Sequence, residues 1–431
     1  MAEFDILVLG ATGYTGRLIV SYLQNHPDRK KSLFTFAIAA NSKPELSELQ
    51  TSLNLDDTIQ SFTFDADNVD EVEELVARGN VIISAVGPYW RYGTHIVGAC
   101  VRQGKHYVDL NAETHWLKDV IFHYDYLATK TKSIVVPSCG FESVPSDIAV
   151  YLANKTIKKV AGPDTDLENS ISAVQCNSGF SRGSWETLMS VVDVPRRKLK
   201  LAEEDFALSS LRGVNSHTPK YINKLPLTVP PLYGTFSQRS LTNRAIIQRT
   251  WGLHELMTKQ HTIPLTDEER LLEYGSRFKY EEFMVSPGKS NSPFSALFLG
   301  VLLSFISTAV WYSPFRWLLG MVIPKPGQGP SDKELSEGWF AITNITTSVP
   351  TPHKPLTNIR TSIKSQQHIY AASAVFAVES ALSILLQHDQ LPSLGRQGGV
   401  LTPMSALGNV LIQRLKNTGL YTFESEVVES H

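Results

Sequence analysis

The chain is poor in cysteine, balanced in charge and without an evident leader, and each absence excludes something. Its three cysteines, Cys100, Cys139 and Cys176, form no C-x-x-C pair. Neither a disulfide framework nor a structural zinc site is indicated, and a reducing compartment is the default. Forty Lys and Arg stand against 42 Asp and Glu. With no basic excess to neutralise phosphates, nucleic acid is not expected as a partner. A strand pattern starts at Phe4, which leaves no room for a secretory signal, and Glu3 and Asp5 argue against a mitochondrial presequence. The expectation is an intracellular protein.

Charge is also missing from Ser290 through Phe315. Inside this stretch "FSALFLGVLLSFISTAVWY" (Phe294 to Tyr312) approaches the roughly 20 residues of a membrane span. Ser295, Ser304, Ser307 and Thr308 interrupt it, and a second apolar run, Trp317 to Ile323, follows Pro314 and Arg316. It reads either as a membrane-seeking segment or as a helix buried in the domain or in a homodimer interface.

What is present is an alternation. Apolar, β-branched runs at Ile6–Leu9, Leu33–Ala40, Ser61–Phe64, Asn80–Gly87, His106–Leu110 and Ser133–Pro137 are separated by helical patterns. Strands alternating with helices of this length imply βαβ units and a parallel sheet. The fold class is therefore α/β: an N-terminal Rossmann-type parallel sheet over residues 1–150, then an α+β second domain. The second domain, 151–400, carries strands at 170–179, 338–348 and 357–365, a long apolar helix at 370–387 and the apolar insert 294–323. The stretch from Arg196 to Ser292 reads as irregular. Residues 401–431 are expected to form an amphipathic helix ending at Gly419 that packs back on the first domain.

The candidate chemistry lies where strands end. In "LGATGYTGR" Gly10 permits a tight turn, Gly13 lets a pyrophosphate approach, and Gly16 lets helix pack on strand; Thr12, Tyr14 and Thr15 complete the loop. The following helix N-terminus offers free N–H groups to an anion. Set between a strand and a helix, the triplet predicts a bound dinucleotide. The second strand ends "AANSK", where a carboxylate would select NAD. None is there, and Asn41, Ser42 and Lys43 suit a 2′-phosphate, so NADP is favoured and NAD stays open; the same residues also suit a helix cap. In "SAVGPYWRYG" Gly87 and Pro88 would pass beneath the nicotinamide. Tyr89 is either a proton donor or an aromatic packed under the loop. "HYVDLNAETHW" brings Asp109, Asn111, Glu113 and His115 to the next strand end, with Glu113 as a second candidate acid. His106, Asp109 and His115 match no metal-ligand spacing, and no metal is expected. Cys139 reads as a packed residue, since no base can be placed beside it. Ser181 to Ser184 would stand at a helix N-terminus, either holding a substrate carbonyl or carboxylate or serving as a plain cap.

The set "GATGYTGR", "SAVGPYWRYG", "YVDLNAET", "PSCGFESVPSD", "PKPGQGPSDKELSEGWF" and "GGVLTPMSALGNVLIQRL" spans the chain in order. Together these stretches resemble the saccharopine dehydrogenase-like oxidoreductases, and most of all the branch with the trans-acting enoyl reductases of lipid synthesis and the animal saccharopine dehydrogenase-like oxidoreductase. The resemblance implies a Rossmann domain, an inserted second domain and a nicotinamide cofactor. Two positions depart from it: Ala40-Asn41 stands where many relatives have Gly-Arg, and Ala112 replaces a glycine before Glu113. Relatives of the animal type are associated with lipid droplets and membranes, which would make 294–323 a hairpin in one leaflet or on a droplet surface.

These readings converge on an NAD(P)-dependent oxidoreductase that reduces an enoyl or imine double bond of a lipid-like substrate, with Tyr89 and Glu113 as proton donors. The alternative is a non-catalytic membrane or droplet protein whose nucleotide site is structural or sensory. Otherwise the protein would be cytoplasmic.

Overall fold

The computed structural model describes residues 2–429 apart from 178–180, 218–219, 261–264, 287–290, 321–327 and 353–355. Its first six strands are β1 (Phe4–Leu9), β2 (Phe36–Ala40), β3 (Ser61–Thr63), β4 (Gly79–Ser84), β5 (His106–Asp109) and β6 (Ile134–Val136). They pair in parallel in the order β6-β5-β4-β1-β2-β3. Ile6 through Leu9, Val81 through Ile83 and Ile134 through Val136 are buried throughout. Helices cover both faces of such a sheet, so its central strands lose the apolar–polar alternation. The strand order turns back between β1 and β4, which opens a crevice at their carboxyl ends.

The second sheet is mixed. Its strands are β7 (Leu167–Asn177), β8 (Asn223–Lys224), β9 (Tyr233–Thr235), β10 (Lys279–Val285), β11 (Trp339–Ser348) and β12 (Asn358–Ser365). The short β13 (Gly399–Val400) and the last strand, β14 (Tyr421–Val428), follow. The order is β14-β12-β11-β7-β10-β9-β8, with only β7 and β10 parallel.

The two units share chain in a way that differs from the expected boundaries. The chain returns to the first unit at residue 369, well before 401. The helix Ile369–Leu386 packs in one core with Ile6, Val8, Ile19 and Ile83. It is long and apolar enough to cross a membrane, yet most of it is buried, so it is a core helix. β13 then adds to the first sheet beside β6. The helix Gly408–Asn417 joins the same core, but β14 leaves again to pair with β12.

The region expected to be irregular holds the longest helix, Gln238–Gln260, and the strand β10. Of the apolar insert, residues 321–323 lie outside the described residues. The rest forms helices Pro293–Ala309 and Ser313–Gly320. The first seats its small residues on the second sheet: a Cβ on Gly300 would stand 2.3 Å from Thr235 Oγ1. Its large residues face out. Phe294, Phe298, Val301 and Phe305 are exposed, as are Trp317 and Leu318 on the second helix. The insert is therefore not a helix buried in its own domain.

Candidate active site

The glycine loop has the geometry that a dinucleotide needs. Gly10 leaves β1 with φ +77°, and a Cβ there would stand 2.7 Å from the Ala85 carbonyl oxygen. A Cβ on Gly16 would stand 2.1 Å from the Gly10 oxygen, so helix Tyr14–Asn25 lies directly on the turn. Gly13 differs: among the described residues a Cβ there would meet only the Gly10 oxygen, at 3.4 Å. Space is thus kept above Gly13, where the first N–H groups of the helix are not used within it. Thr12 is buried, and its carbonyl accepts a hydrogen bond from Arg17 Nε. This cradle fits a pyrophosphate, and Thr15 stands with Tyr14 in the first turn.

At the end of β2, Asn41 is exposed and Ser42 accepts from Glu45 N at 3.4 Å, so Ser42 caps the helix Lys43–Ser52. The cap does not exhaust the position: Asn41 and Lys43 both face solvent beside the crevice.

The structure ties the two expected proton donors into the scaffold. Glu113 is 5% exposed, and its two carboxylate oxygens accept from the Tyr89 and Trp90 backbone N–H groups, each at 2.8 Å. It therefore caps the helix Tyr89–Arg102 at its positive end. Burial pushes its carboxyl up to about 7, against the two N–H bonds that pull it down. The Tyr89 hydroxyl donates to the Ser84 carbonyl and accepts from Leu110 N, while its ring packs on Trp116. Placed so, the pair shapes the loop that carries Gly87 and Pro88.

Asp109 does the same for its neighbours. It is fully buried and accepts from Asn111 N, Ser138 N and the Tyr107 hydroxyl at 2.7–2.9 Å. Burial raises its carboxyl to about 6. It pins the end of β5 to the end of β6, and Asn111 Nδ2 reinforces the joint by donating to Ser138 Oγ. Cys139 is buried and its thiol donates to the Val136 carbonyl, with burial pushing its pKa upward. Among the described residues no three His, Cys, Asp or Glu side chains group as metal ligands.

The second unit closes over this edge. Ser181 caps the helix Arg182–Ser190, and Thr187 of that helix lies near Gly87: a Cβ on Gly87 would stand 3.9 Å from Thr187 Oγ1. Trp90 Nε1 donates to Ser190 Oγ. The Tyr370 hydroxyl accepts from Ser181 N and bonds Ser184 Oγ at 2.6 Å, and its ring meets Tyr14 edge-on. The segment after the insert crosses the mouth of the loop. Gln328 O accepts from Arg182 N, and Pro330 O accepts from the Tyr14 hydroxyl at 2.7 Å. Tyr14 thus marks a seam between the units, as well as the loop that contains it.

One feature had no counterpart in the strand-end motifs. A narrow polar cleft lies between Phe141–Ser146, after β6, and strands β7, β10 and β11. Arg239 and Asn243 enter it from the long helix and Glu282 from β10. Arg239 Nε pairs with Glu142 at 3.2 Å. Glu282 accepts from Ser146 Oγ, the Tyr280 hydroxyl and Asn243 Nδ2, each at 2.7 Å. Burial pushes the Glu282 carboxyl up to about 7, against the three hydrogen bonds. The motif "PSCGFESVPSD" supplies Glu142 and Ser146; nothing in the sequence pairs them with Arg239, which lies almost 100 residues on.

A dinucleotide crevice facing a second, mixed-sheet unit defines a two-domain NAD(P)-dependent oxidoreductase, and comparisons with known proteins agree. Residues 6–136 match the family model described as saccharopine dehydrogenase NADP binding domain. The resemblance read from the sequence to the saccharopine dehydrogenase-like oxidoreductases is thereby borne out, and the cofactor is NADP. Over 97% of its length it is 29% identical to 97% of a trans-acting enoyl reductase of Mycobacterium tuberculosis. It is 28% identical, with the same coverage, to a trans-acting enoyl reductase of Mycobacterium ulcerans. The apo saccharopine dehydrogenase (L-Glu forming) of Saccharomyces cerevisiae shares the fold, with a TM-score of 0.52 and 14% identity over 99% of this chain and 100% of that one.

Proposed function

We propose that this oxidoreductase reduces a carbon–carbon double bond, or an imine, in a lipid-like substrate that lies between the two units, and that it works at a membrane or lipid-droplet surface. The observation that carries the reading is the end-to-end similarity to trans-acting enoyl reductases. NADPH, when bound, supplies the hydride. The chain's own part is to hold the pyrophosphate over Gly10, Gly13 and Gly16, to shape the floor with Gly87 and Pro88, and to exclude water with the helix Arg182–Ser190. With Glu113 and Tyr89 engaged in the scaffold, their part is to position that floor. The test is NADPH oxidation with trans-2-decenoyl-CoA and with a cyclic imine. Consumption of one NADPH per double bond supports the reading, and no consumption with either overturns it.

Asn41 and Lys43 stand where a 2′-phosphate would lie. Asn41→Asp is expected to weaken NADPH binding about tenfold and leave NADH unharmed, because a nearby carboxylate repels the phosphate by the ~1.4 kcal/mol that a factor of ten represents. Parallel titrations of the two cofactors check this.

The exposed row Phe294, Phe298, Val301 and Phe305 supports the surface-binding part of the proposal. Contiguous apolar surface of this kind marks an interaction site, and a helix with one apolar face can lie in a lipid interface. Phe298→Glu with Phe305→Glu is expected to abolish flotation with phosphatidylcholine vesicles while leaving the melting temperature nearly unchanged. A shift from dimer to monomer with flotation unchanged would instead assign this face to a second copy of the chain.

A further inference from the structure

The residues at the end of β2, Ala40-Asn41-Ser42-Lys43-Pro44-Glu45, contain one cation, Lys43, and its side chain stands in solvent. A phosphate monoester carries nearly two negative charges at neutral pH. Asn41, Ser42 and one ammonium on a flexible stem make a weak seat for it. A guanidinium from the neighbouring helix supplies what this segment lacks.

Arg17 lies one turn into the helix Tyr14–Asn25. Its backbone N–H donates to the Gly13 carbonyl, and its Nε donates to the Thr12 carbonyl at 3.1 Å. The side chain therefore folds back along the glycine loop toward the crevice. Its Nη2 stands 4.0 Å from Glu48 Oε1, on the helix Lys43–Ser52. The two helices run side by side from the same edge of the sheet: at their far ends Gln24 Nε2 donates to the Leu53 and Asn54 carbonyls. The glycine loop is itself tied to β2, since Gly10 N and Ala11 N both donate to the Ala39 carbonyl. The Arg17 guanidinium thus sits between the glycine loop and the helix that follows β2.

Its bonding capacity is only partly spent. The tether at Nε orients the fork, while among the described residues neither Nη1 nor Nη2 makes a hydrogen bond. Glu48 at 4.0 Å is beyond hydrogen-bond length, and its side chain is 70% exposed against 31% for Arg17. Such a pair holds the fork weakly. Both Nη groups are left for an oxyanion, in the bidentate geometry that suits guanidinium and phosphate. The Lys43 N–H lies at the start of the facing helix and is unused within it, because Pro44 has no N–H and Ser42 takes that of Glu45.

We propose that Arg17 is the specificity-determining cation for the 2′-phosphate of NADP. Asn41 and the Lys43 N–H complete the seat, and Glu48 is a counter-ion that the phosphate displaces. The assignment concerns the cofactor and does not depend on which substrate is reduced.

Calorimetric titrations of the full chain with NADPH, NADH, 2′,5′-ADP and 5′-AMP test it. Arg17→Gln is expected to weaken NADPH and 2′,5′-ADP about 10–100-fold, the range for losing charge-assisted hydrogen bonds. NADH and 5′-AMP should change less than about threefold, and Lys43→Gln should cost NADPH only about threefold, as an exposed charge does. Glu48→Gln is expected to tighten NADPH about threefold and leave NADH unchanged, by removing the competing carboxylate. Misfolding cannot produce that gain, and adding Arg17→Gln should erase it. Equal weakening of NADPH and NADH by Arg17→Gln would overturn the proposal, since Arg17 would then serve the loop alone. So would an unchanged NADPH affinity, or a larger loss from Lys43→Gln than from Arg17→Gln. Should Arg17→Gln fail to fold, Glu48→Gln decides: tighter NADPH with NADH unchanged supports the assignment, and any other result overturns it.

Discussion

Gly13→Asp is expected to lower NADPH affinity at least about 100-fold while leaving the free protein as stable as the wild type. The first half follows from charge. A carboxylate at this position would stand against the pyrophosphate, and two unit charges about 4 Å apart repel by ~4 kcal/mol at an effective dielectric of 20. That exceeds the ~2.7 kcal/mol that a factor of 100 requires. The second half follows from space, since among the described residues a Cβ on Gly13 meets only one atom, at 3.4 Å. Gly16→Ala is the contrasting variant. Its Cβ would overlap the Gly10 carbonyl oxygen at 2.1 Å, so helix and turn must separate, and both folding and binding are expected to suffer. Thermal melts with and without NADPH distinguish the two, because a ligand that binds the native state raises the melting point by mass action. If Gly13→Asp keeps the full NADPH-induced shift, the pyrophosphate does not lie over this loop.

Glu379→Ala is expected to destabilise the protein by about 3–5 kcal/mol, the usual consequence of removing one partner from a buried ionic network. Glu379 sits in the core helix Ile369–Leu386 and is 1% exposed. Its carboxylate accepts from the Tyr22 hydroxyl at 2.8 Å, His26 Nε2 at 2.9 Å and Arg414 Nε at 2.6 Å. Arg414 is held in addition by Asp28 at 3.0 Å. Three segments of the chain thus meet at one carboxylate, and the loss would leave Arg414 and Tyr22 with fewer partners. Burial acts to raise the Glu379 pKa, but the His26 hydrogen bond and the Arg414 charge outweigh it, so the carboxyl lies below its ordinary value. A depressed carboxyl contributes stability that is fully present above its unfolded value, ~4.3, and is lost as pH falls through the lower folded value. Urea denaturation should therefore show the wild type weakening in acid more steeply than Glu379→Gln. Identical acid limbs for the two proteins would exclude this network as the source.

Much of the first unit was legible in the sequence because its signals are local. Runs such as Val81–Ile83 and Ile134–Val136 are apolar at every position, which marks central parallel strands before any partner is known. Gly10 and Gly16 announce a turn that no side chain fits. The second unit was harder to read. The helix Gln238–Gln260 escaped because its buried side includes Arg249, Thr250, His254 and Glu255. Arg249 lies inside with its guanidinium donating to the Leu208 and Val400 carbonyls. A helix that buries polar groups against other polar groups has no apolar stripe to reveal it. β14 escaped for the opposite reason, since half of its side chains are exposed on a sheet edge and only Tyr421 is buried.

The site divides along the same line. Strand period and glycine sterics are properties of neighbouring residues, so the sequence by itself determined the parallel sheet, the crevice at its carboxyl edge and the cradle for a dinucleotide. It also named Tyr89 and Glu113, but a side chain's task depends on what reaches it across space. Only the tertiary structure decided that Glu113 caps the helix beginning at Tyr89, that Pro330 closes on Tyr14, and that Arg239 meets Glu142. Those pairings join residues 24, 316 and 97 positions apart. Hydrogen bonds and charges act over a few ångströms, and which groups come that close is settled by the packing of the two sheets.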